Sequence, residues 1–280
     1  MILIADSGTT KTEWRLITEG GSSETIITSG INPFYQDATN ISILLQNEFT
    51  SVRKFRSIYF YGAGCINEEK QNIVKAALLQ VFETEQLFIG SDLLAAARSL
   101  CQNKQGVACI LGTGSNSCFY DGNNIISNVS PLGFILGDEG SGAVLGKKLI
   151  GDILKKQLPQ SLITDFFATY PTNAAEILEN VYKKPFPSRY LASFTRFLSK
   201  NIKHPEIEQI VLSSFREFIT RNLLNYPQCH HTAIHFTGSI AFFFEPQLRK
   251  VIEEQNLTIG KIEHAPMSGL ISYHQSNVNF

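Results

Sequence analysis

Three apolar runs in this chain end in turns made of glycine and small hydroxyl residues, and that pattern constrains the fold more than any bulk property does. Asp6-Ser7-Gly8-Thr9-Thr10-Lys11 follows Ile2-Leu3-Ile4-Ala5. Gly112-Thr113-Gly114-Ser115 follows Val107-Ala108-Cys109-Ile110-Leu111, and Thr237-Gly238-Ser239 follows Thr232-Ala233-Ile234-His235-Phe236. A short apolar run bounded by turn residues reads as a buried strand. Strand character resumes after the first two turns, in Glu13-Trp14-Arg15-Leu16-Ile17 and in Asn116-Ser117-Cys118-Phe119-Tyr120, so both are hairpins. The pattern recurs about a hundred residues on, which points to two related halves rather than an array of short repeats. Glycine lets backbone N–H groups approach an anion, and hydroxyl groups add donors. Each turn could therefore cradle a phosphate, and each could equally be a plain connection.

Between the hairpins, strands alternate with helices. Thr25–Thr28 reads as a third strand, stopped by Gly30-Ile31-Asn32-Pro33. Ile41, Leu44, Leu45 and Phe49 have helical spacing within residues 39–54. A strand at Ser57–Tyr61 is closed by Gly62-Ala63-Gly64, a helix spans Asn67–Val81, a strand covers Gln86–Ile89, and a helix runs from Asp92 to Leu100. This alternation implies an α/β fold. In the second half, residues 143–226 read as helical, with breaks at Pro159, Pro171, Pro185-Phe186-Pro187 and His204-Pro205, and a further helix is expected from Phe242 to Gln255.

With 280 residues, 43% of them hydrophobic and 18% charged, the chain can build two cores. A net charge of −1 leaves no basic excess to neutralise nucleic acid. No apolar run approaches the ~18 residues of a membrane span. The opening Met1–Asp6 lacks the basic region of a signal peptide. Five cysteines, an odd count with no Cys-x-x-Cys pair, imply reduced buried thiols and a cytoplasmic protein. His230-His231 reads as a surface turn rather than a metal site. Phe242-Phe243-Phe244 reads as core or as a subunit interface, so a homodimer is compatible with the sequence.

Two acidic positions stand out for chemistry. Asp6 ends the first strand, where a carboxylate can hold hydrated Mg²⁺ or cap a turn. Lys11 can add charge beside phosphates or be a solvated strand residue. Asp92 follows an apolar strand and opens an alanine-rich helix. Ligands of α/β folds gather at the carboxyl ends of strands, although Ser91 or Asp92 can also be a plain helix cap. A third candidate, Asp138, lies with Glu139 in Gly137-Asp138-Glu139-Gly140-Ser141-Gly142, a polar run suited to a solvated turn or a ligand loop.

The order of Asp6–Thr10, Ser91-Asp92, Gly112–Asn116 and Gly137–Ser141 resembles N-acetylglucosamine kinases and their BadF-type ATPase relatives, within the actin-like ATPase superfamily. The resemblance spans Asp6 to Gly269. It implies two actin-like, ribonuclease H-like lobes, at residues 1–105 and 106–280, with a nucleotide cleft between them and the last helix returning to the first lobe. It implies ATP and Mg²⁺ as cofactors and an amino sugar as the small-molecule partner. By matching positions, Asp92 is the catalytic base and Asp6 the metal residue. Thr9, Thr10, Lys11, Gly112, Thr113, Gly114, Gly238 and Ser239 would contact nucleotide. Asn32, Ser115, Asn116, Gly133 and Asp138 would join Asp92 around the sugar. Ser7 replaces a usual glycine, and Pro131-Leu132-Gly133-Phe134-Ile135 replaces a segment in which relatives carry Trp and His. An ATPase that activates a redox partner and a non-catalytic sugar or nucleotide sensor are the alternative readings.

Overall fold

The computed structural model describes residues 1–8, 10–18, 23–50 and 54–277. The chain forms two compact units. Met1–Asn103, Gly122–Asn124 and Pro266–Phe280 make the first, and Lys104–Asp121 with Ile125–Ala265 make the second.

The first unit contains β1 (Ile2–Ser7), β2 (Lys11–Ile17), β3 (Ser23–Ser29), α1 (Ala38–Glu48), β4 (Lys54–Gly62), α2 (Glu68–Val81), β5 (Glu83–Ser91) and α3 (Asp92–Cys101). The strands form one sheet in the order β3-β2-β1-β4-β5. The first three are antiparallel, while β4 and β5 run parallel to β1. The Ile2–Ala5 run is buried on both faces, as a central strand of a covered sheet must be. One face packs on an aromatic cluster in which Trp14 lies 5.3 Å from Phe49 and 5.8 Å from Phe60, centroid to centroid.

The second unit repeats this plan. β6 (Gly106–Leu111), β7 (Ser115–Tyr120) and β8 (Ile125–Val129) are antiparallel. A helical stretch follows, with α4 (Gly133–Leu136), α5 (Gly142–Leu154), α6 (Gln160–Thr169), α7 (Ala174–Tyr182), α8 (Pro187–Ser193), α9 (Thr195–Lys200) and α10 (Pro205–Arg221). Then come β9 (Ile234–Thr237), α11 (Ser239–Phe243), α12 (Glu245–Glu254) and β10 (Ile259–Glu263), and α13 (Met267–Asn277) belongs to the first unit. The sheet order β10-β9-β6-β7-β8, with β9 and β10 parallel to β6, matches the first sheet strand for strand. The recurrence of the hairpin in the sequence thus reflects a recurrence of topology. The helical stretch breaks where its prolines stand: Pro187 and Pro205 occupy first helical positions, which need no N–H partner.

Three sequence-based boundaries move. The helix expected over residues 39–54 ends at Glu48. Phe49 is its non-helical cap, donating its N–H to Leu45 O (2.9 Å) while its ring joins the aromatic cluster, and Lys54 already belongs to β4. The helix expected from Phe242 to Gln255 is interrupted at Phe244, and it restarts with Pro246 in the first turn, where proline is tolerated. The strand expected from Thr232 begins at Ile234, because the Thr232 N–H is already spent on Gln228 O (3.0 Å).

α13 lies across α3 at a close crossing. A Cβ on Gly269 would sit 2.9 Å from the carbonyl carbon of Ser99, and Gln102 Nε2 donates to Gly269 O (3.0 Å). His274, buried on the same helix, meets Tyr61 OH at 2.9 Å through Nε2, and Arg98 Nη1 donates to that hydroxyl at 2.8 Å. Burial pushes the His274 imidazole down to about 3, aided by the Arg98 charge, so the ring is neutral. Gly269→Val should therefore force the two helices apart and lower Tm by about 3–8 °C in a thermal melt; an unchanged Tm would show that the crossing is loose.

Candidate active site

The carboxyl ends of β1, β4 and β5 form one edge of the first sheet. In register, Asp6 pairs with Tyr61, Ser7 with Gly62, and Gly62 with Ser91. Asp6 therefore ends one outer strand of this parallel trio and Asp92 follows the other. Two interstrand steps set their backbones roughly 10 Å apart.

Ser91 is the cap of α3, its hydroxyl accepting from Leu94 N (3.2 Å). Asp92 is thus free of the capping role and occupies the first helical position, where the helix dipole favours an anion. Its Oδ1 accepts from Leu93 N (2.9 Å), which fixes the carboxylate. Burial raises the Asp92 pKa against the opposing pull of that backbone hydrogen bond. Burial, and next the charge of Asp92, pushes Asp6 up to about 7, with Glu13 adding to the rise and Lys11 opposing it. Among the described residues no group of three or more His, Cys, Asp or Glu is gathered for a metal. A hard divalent cation at Asp6 would accordingly draw most of its ligands from water and phosphate oxygens, which is the usual habit of Mg²⁺. A cation there would also favour the ionised form of a carboxylate that is otherwise poised between its two states, so Asp6 fits the role.

The first hairpin is tied to the segment carrying Asn32. Ser7 is fully buried; its Oγ lies 2.7 Å from Thr12 Oγ1, donates to Ile31 O and accepts from Ile31 N, both at 3.0 Å. A glycine could not make this tie, which gives the Ser7 substitution a physical reason. Asn32 is the turn residue that Asn-Pro predicts, because its Oδ1 accepts from Phe34 N (3.0 Å). It is also nearly buried against Gly64, whose φ of +86° and missing Cβ leave room for it. Thr10 and Lys11 are exposed at the hairpin end. Thr9 lies outside the described residues.

In the second unit, three loops meet. The β6–β7 turn is closed by Gly112 N to Gly114 O (2.9 Å). The start of α5 donates into it, Gly142 N to Gly112 O (2.8 Å) and Ala143 N to Thr113 O (3.0 Å). These bonds leave the N–H groups of Thr113 and Gly114 without a partner among the described residues, as a phosphate cradle requires. Gly238, at φ +114°, presses on the Leu111 carbonyl where a Cβ would collide, and anchors through its N–H to Glu263 O (3.0 Å). Ser239 borders a cavity of about 550 Å³ between α9 and α11, with Arg196, Lys200 and Phe243 in its wall. Sequence reasoning missed Arg196 and Lys200, which carry no motif and reach the cavity only through helix packing, and it read Phe243 only as core or subunit interface.

Asp138 is the link within this unit. Its Oδ1 accepts from Ser115 N (3.2 Å), and both carboxylate oxygens cover Gly114. Burial raises its pKa against the pull of that hydrogen bond. Asn116 Oδ1 is taken by Ser117 N (2.9 Å) and Asn128 Nδ2 (2.8 Å), which leaves its amine side for a ligand. Gly133 opens α4 at φ +75°, and a side chain there would meet nothing within 4 Å. The structure therefore brings Asp138, Ser115 and Gly112–Gly114 together, and Gly133 joins the Asp138 loop through its carbonyl, which accepts from Gly137 N (2.7 Å). His230 and His231 are both exposed, with ring centroids 6.5 Å apart. All five cysteines are buried and unbridged. None of the described helices is long and apolar enough to cross a membrane.

A scan against family models and a search of curated proteins gave no match. Among solved structures, a protein of Porphyromonas gingivalis provisionally named an N-acetylglucosamine kinase shares 45% identity over 99% of each chain, with a TM-score of 0.94. The chain belongs to the N-acetylglucosamine kinase-like family. A protein of Chromobacterium violaceum with the same provisional name follows the fold at 16% identity and a TM-score of 0.73, over 97% of this chain and 98% of that one. A ROK-family glucokinase of Streptomyces griseus, solved with glucose and AMPPNP, shares the fold at 13% identity and a TM-score of 0.52 over 98% of each chain. The two five-stranded sheets are those of the actin-like ATPase fold, and the family is one of sugar-kinase-like enzymes.

The raised Asp6 pKa yields a stability prediction. The folded state holds a proton on Asp6 up to about pH 7, whereas the unfolded chain releases it near pH 4. The contribution of this group to stability therefore falls as pH rises through that window. Asp6→Asn should raise Tm at pH 8 by ~3 °C or more, with a smaller gain at pH 5. Equal gains at both pH values, or a loss at pH 8, would contradict the charge-burial account.

Proposed function

We propose that the chain transfers the γ-phosphoryl group of ATP to the 6-hydroxyl of N-acetylglucosamine or a closely related amino sugar, with Asp92 as general base. The observation that carries this reading is the pair of carboxylates with raised pKa values, Asp6 and Asp92, at one edge of parallel strands. Membership of the family supports the sugar as substrate, and AMPPNP bound to the same fold in the Streptomyces protein supports ATP.

In this reading Asp92 Oδ2 accepts the proton of the sugar hydroxyl while Leu93 N holds Oδ1. The hydroxyl oxygen forms its bond to the γ-phosphorus as the bond to the bridging oxygen of ADP breaks, and ADP leaves with the electron pair. A pKa raised by burial gives the carboxylate a basicity closer to its task. Asp6 would hold Mg²⁺, which when bound neutralises phosphate charge. Thr9, Thr10 and Lys11 on the first hairpin, and the Thr113 and Gly114 N–H groups of the turn that Gly112 closes, would take the phosphates. Gly238, Ser239 and the adjoining cavity would take the nucleoside, for which Phe243 offers an aromatic face and Arg196 and Lys200 offer charge. Asn32, Ser115, Asn116, Gly133 and Asp138 would surround the sugar. The five buried thiols fit a reducing, cytoplasmic setting. They also weigh against the redox-activating alternative, which needs cysteines at the surface to hold a cluster.

Asp92→Asn should cut ADP release with N-acetylglucosamine by roughly 10²–10⁴-fold while ATP affinity changes by less than about threefold. A variant with near-wild-type turnover would remove Asp92 from the role of base. The same assay run across N-acetylglucosamine, N-acetylmannosamine, N-acetylmuramic acid and glucose ranks the sugars.

A further inference from the structure

The loop that carries Asp138 holds a second acid. Glu139 is buried, yet it points away from the Ser115 and Gly114 side of the loop and toward the end of α10. Its Oε1 pairs with Arg221 Nε at 2.9 Å, and its Oε2 accepts from Asn222 Nδ2 at 3.3 Å. Arg221 is the last residue of α10, Asn222 is its cap, and Asn222 is itself buried. One residue on, Gly140 N donates to the buried Ser214 Oγ at 3.2 Å, and Gly140, at φ +74°, packs on Phe218 of the same helix. Residues 139 and 140 therefore hang on α10, while Asp138 and the residues after Ser141 hang on the β6–β7 turn.

Asp138 itself adopts φ +55°, a left-handed conformation that costs free energy for any residue with a side chain. Such a conformation persists only when neighbours on both sides over-determine it. On one side Asp138 N donates to Pro131 O (2.8 Å), closing the loop that contains α4, and on the other Ser141 N donates to Asp138 O (3.0 Å). The peptide between Asp138 and Gly140 is held by the Glu139 anchor. The carboxylate of Glu139 adds like charge beside Asp138, which a purely local design would avoid; Arg221 offsets that charge at its source.

We propose that Glu139, held by Arg221 and Asn222, is a positioning residue that fixes Asp138 in its left-handed conformation, so that its carboxylate spans Ser115 and the sugar. This inference rests on the reading of Asp138 as a sugar ligand. It sets apart two acids that stand side by side: Asp138 contacts substrate, and Glu139 acts through it. The anchor acts first on the sugar side of the reaction, because its bonds reach α10 and not the Gly238–Ser239 loop, and the β6–β7 turn keeps its own main-chain bonds to α5.

The test is steady-state kinetics with Asp138→Asn, Glu139→Gln, Arg221→Met, Arg221→Lys and the Glu139→Gln/Arg221→Met double variant, each checked by thermal melt. The Arg221 side chain is 59% exposed, so its replacement leaves no cavity in the core. Arg221→Met and Glu139→Gln should each raise KM for the sugar about tenfold, with KM for ATP within twofold of wild type. The double variant should be no worse than Arg221→Met, since the two residues act as one unit, and Arg221→Lys should recover to within about threefold. Sugar KM within twofold of wild type in both Arg221→Met and Glu139→Gln, or equal rises for sugar and ATP, would overturn the anchor. Asp138→Asn separates the two claims: if it leaves sugar KM unchanged, the assignment of Asp138 fails. If it impairs sugar binding while the Glu139 and Arg221 variants behave as wild type, only the anchor fails.

Discussion

The burial of two carboxylates at one sheet edge is the constraint around which the first unit is built. Asp6 and Asp92 flank the end of β4, and burial, joined at Asp6 by the charges of Asp92 and Glu13, moves both toward their neutral forms. A fold gains nothing in stability from such an arrangement, since each carboxylate gives up hydration without an ion pair in exchange. The surroundings hold the pair in place nonetheless. Ser91 takes the cap of α3 and leaves Asp92 to the first helical turn, Leu93 N orients it, and α13 packs on α3 at Gly269 and on β4 through the Tyr61–His274 contact. Local rules are broken here in favour of chemistry, which is where such breaks are expected.

The second unit has the same strand order and different equipment. Where the first presents carboxylates, the second presents backbone. The β6–β7 turn, the start of α5 and Gly238 interlock through main-chain bonds, so the loops are set by glycine and by hydrogen-bond geometry more than by side-chain packing. One topology used twice thus supplies carboxylates suited to a cation and a reacting hydroxyl, and amide groups suited to phosphate oxygens. Asp138 is the exception, a carboxylate among these backbone groups, and the residues that follow it are tied to α10 through Glu139 and Gly140.

Much of this was legible in the sequence because it is local. Apolar runs ending in Gly/Thr/Ser turns marked β1, β6 and β9, and prolines at first helical positions marked the starts of α8 and α10. The α/β class followed from alternation, and the family from the ordered loops. What stayed hidden depends on long-range packing. Phe49 has helical spacing and leaves the helix because its ring is needed beside Trp14. Thr232 has strand character, yet a turn consumes its N–H. Ser7 looked like a defect in a glycine loop until its hydroxyl was seen tied to Ile31, 24 residues away. Glu139 gave no sign of its partner, because Arg221 lies 82 positions along the chain on a helix with no motif. Arg196 and Lys200 were invisible for the same reason, and Phe243 was legible only as a packing residue.

The central claim is that phosphorus moves from ATP to one particular sugar oxygen. ³¹P NMR of a reaction containing the protein, ATP, Mg²⁺ and N-acetylglucosamine tests it most directly. The account predicts that the γ-phosphate signal is replaced by that of a sugar 6-phosphate, coupled to the C6 methylene protons. Conversion of ATP to inorganic phosphate alone, or a phosphate ester at another sugar carbon, would contradict it.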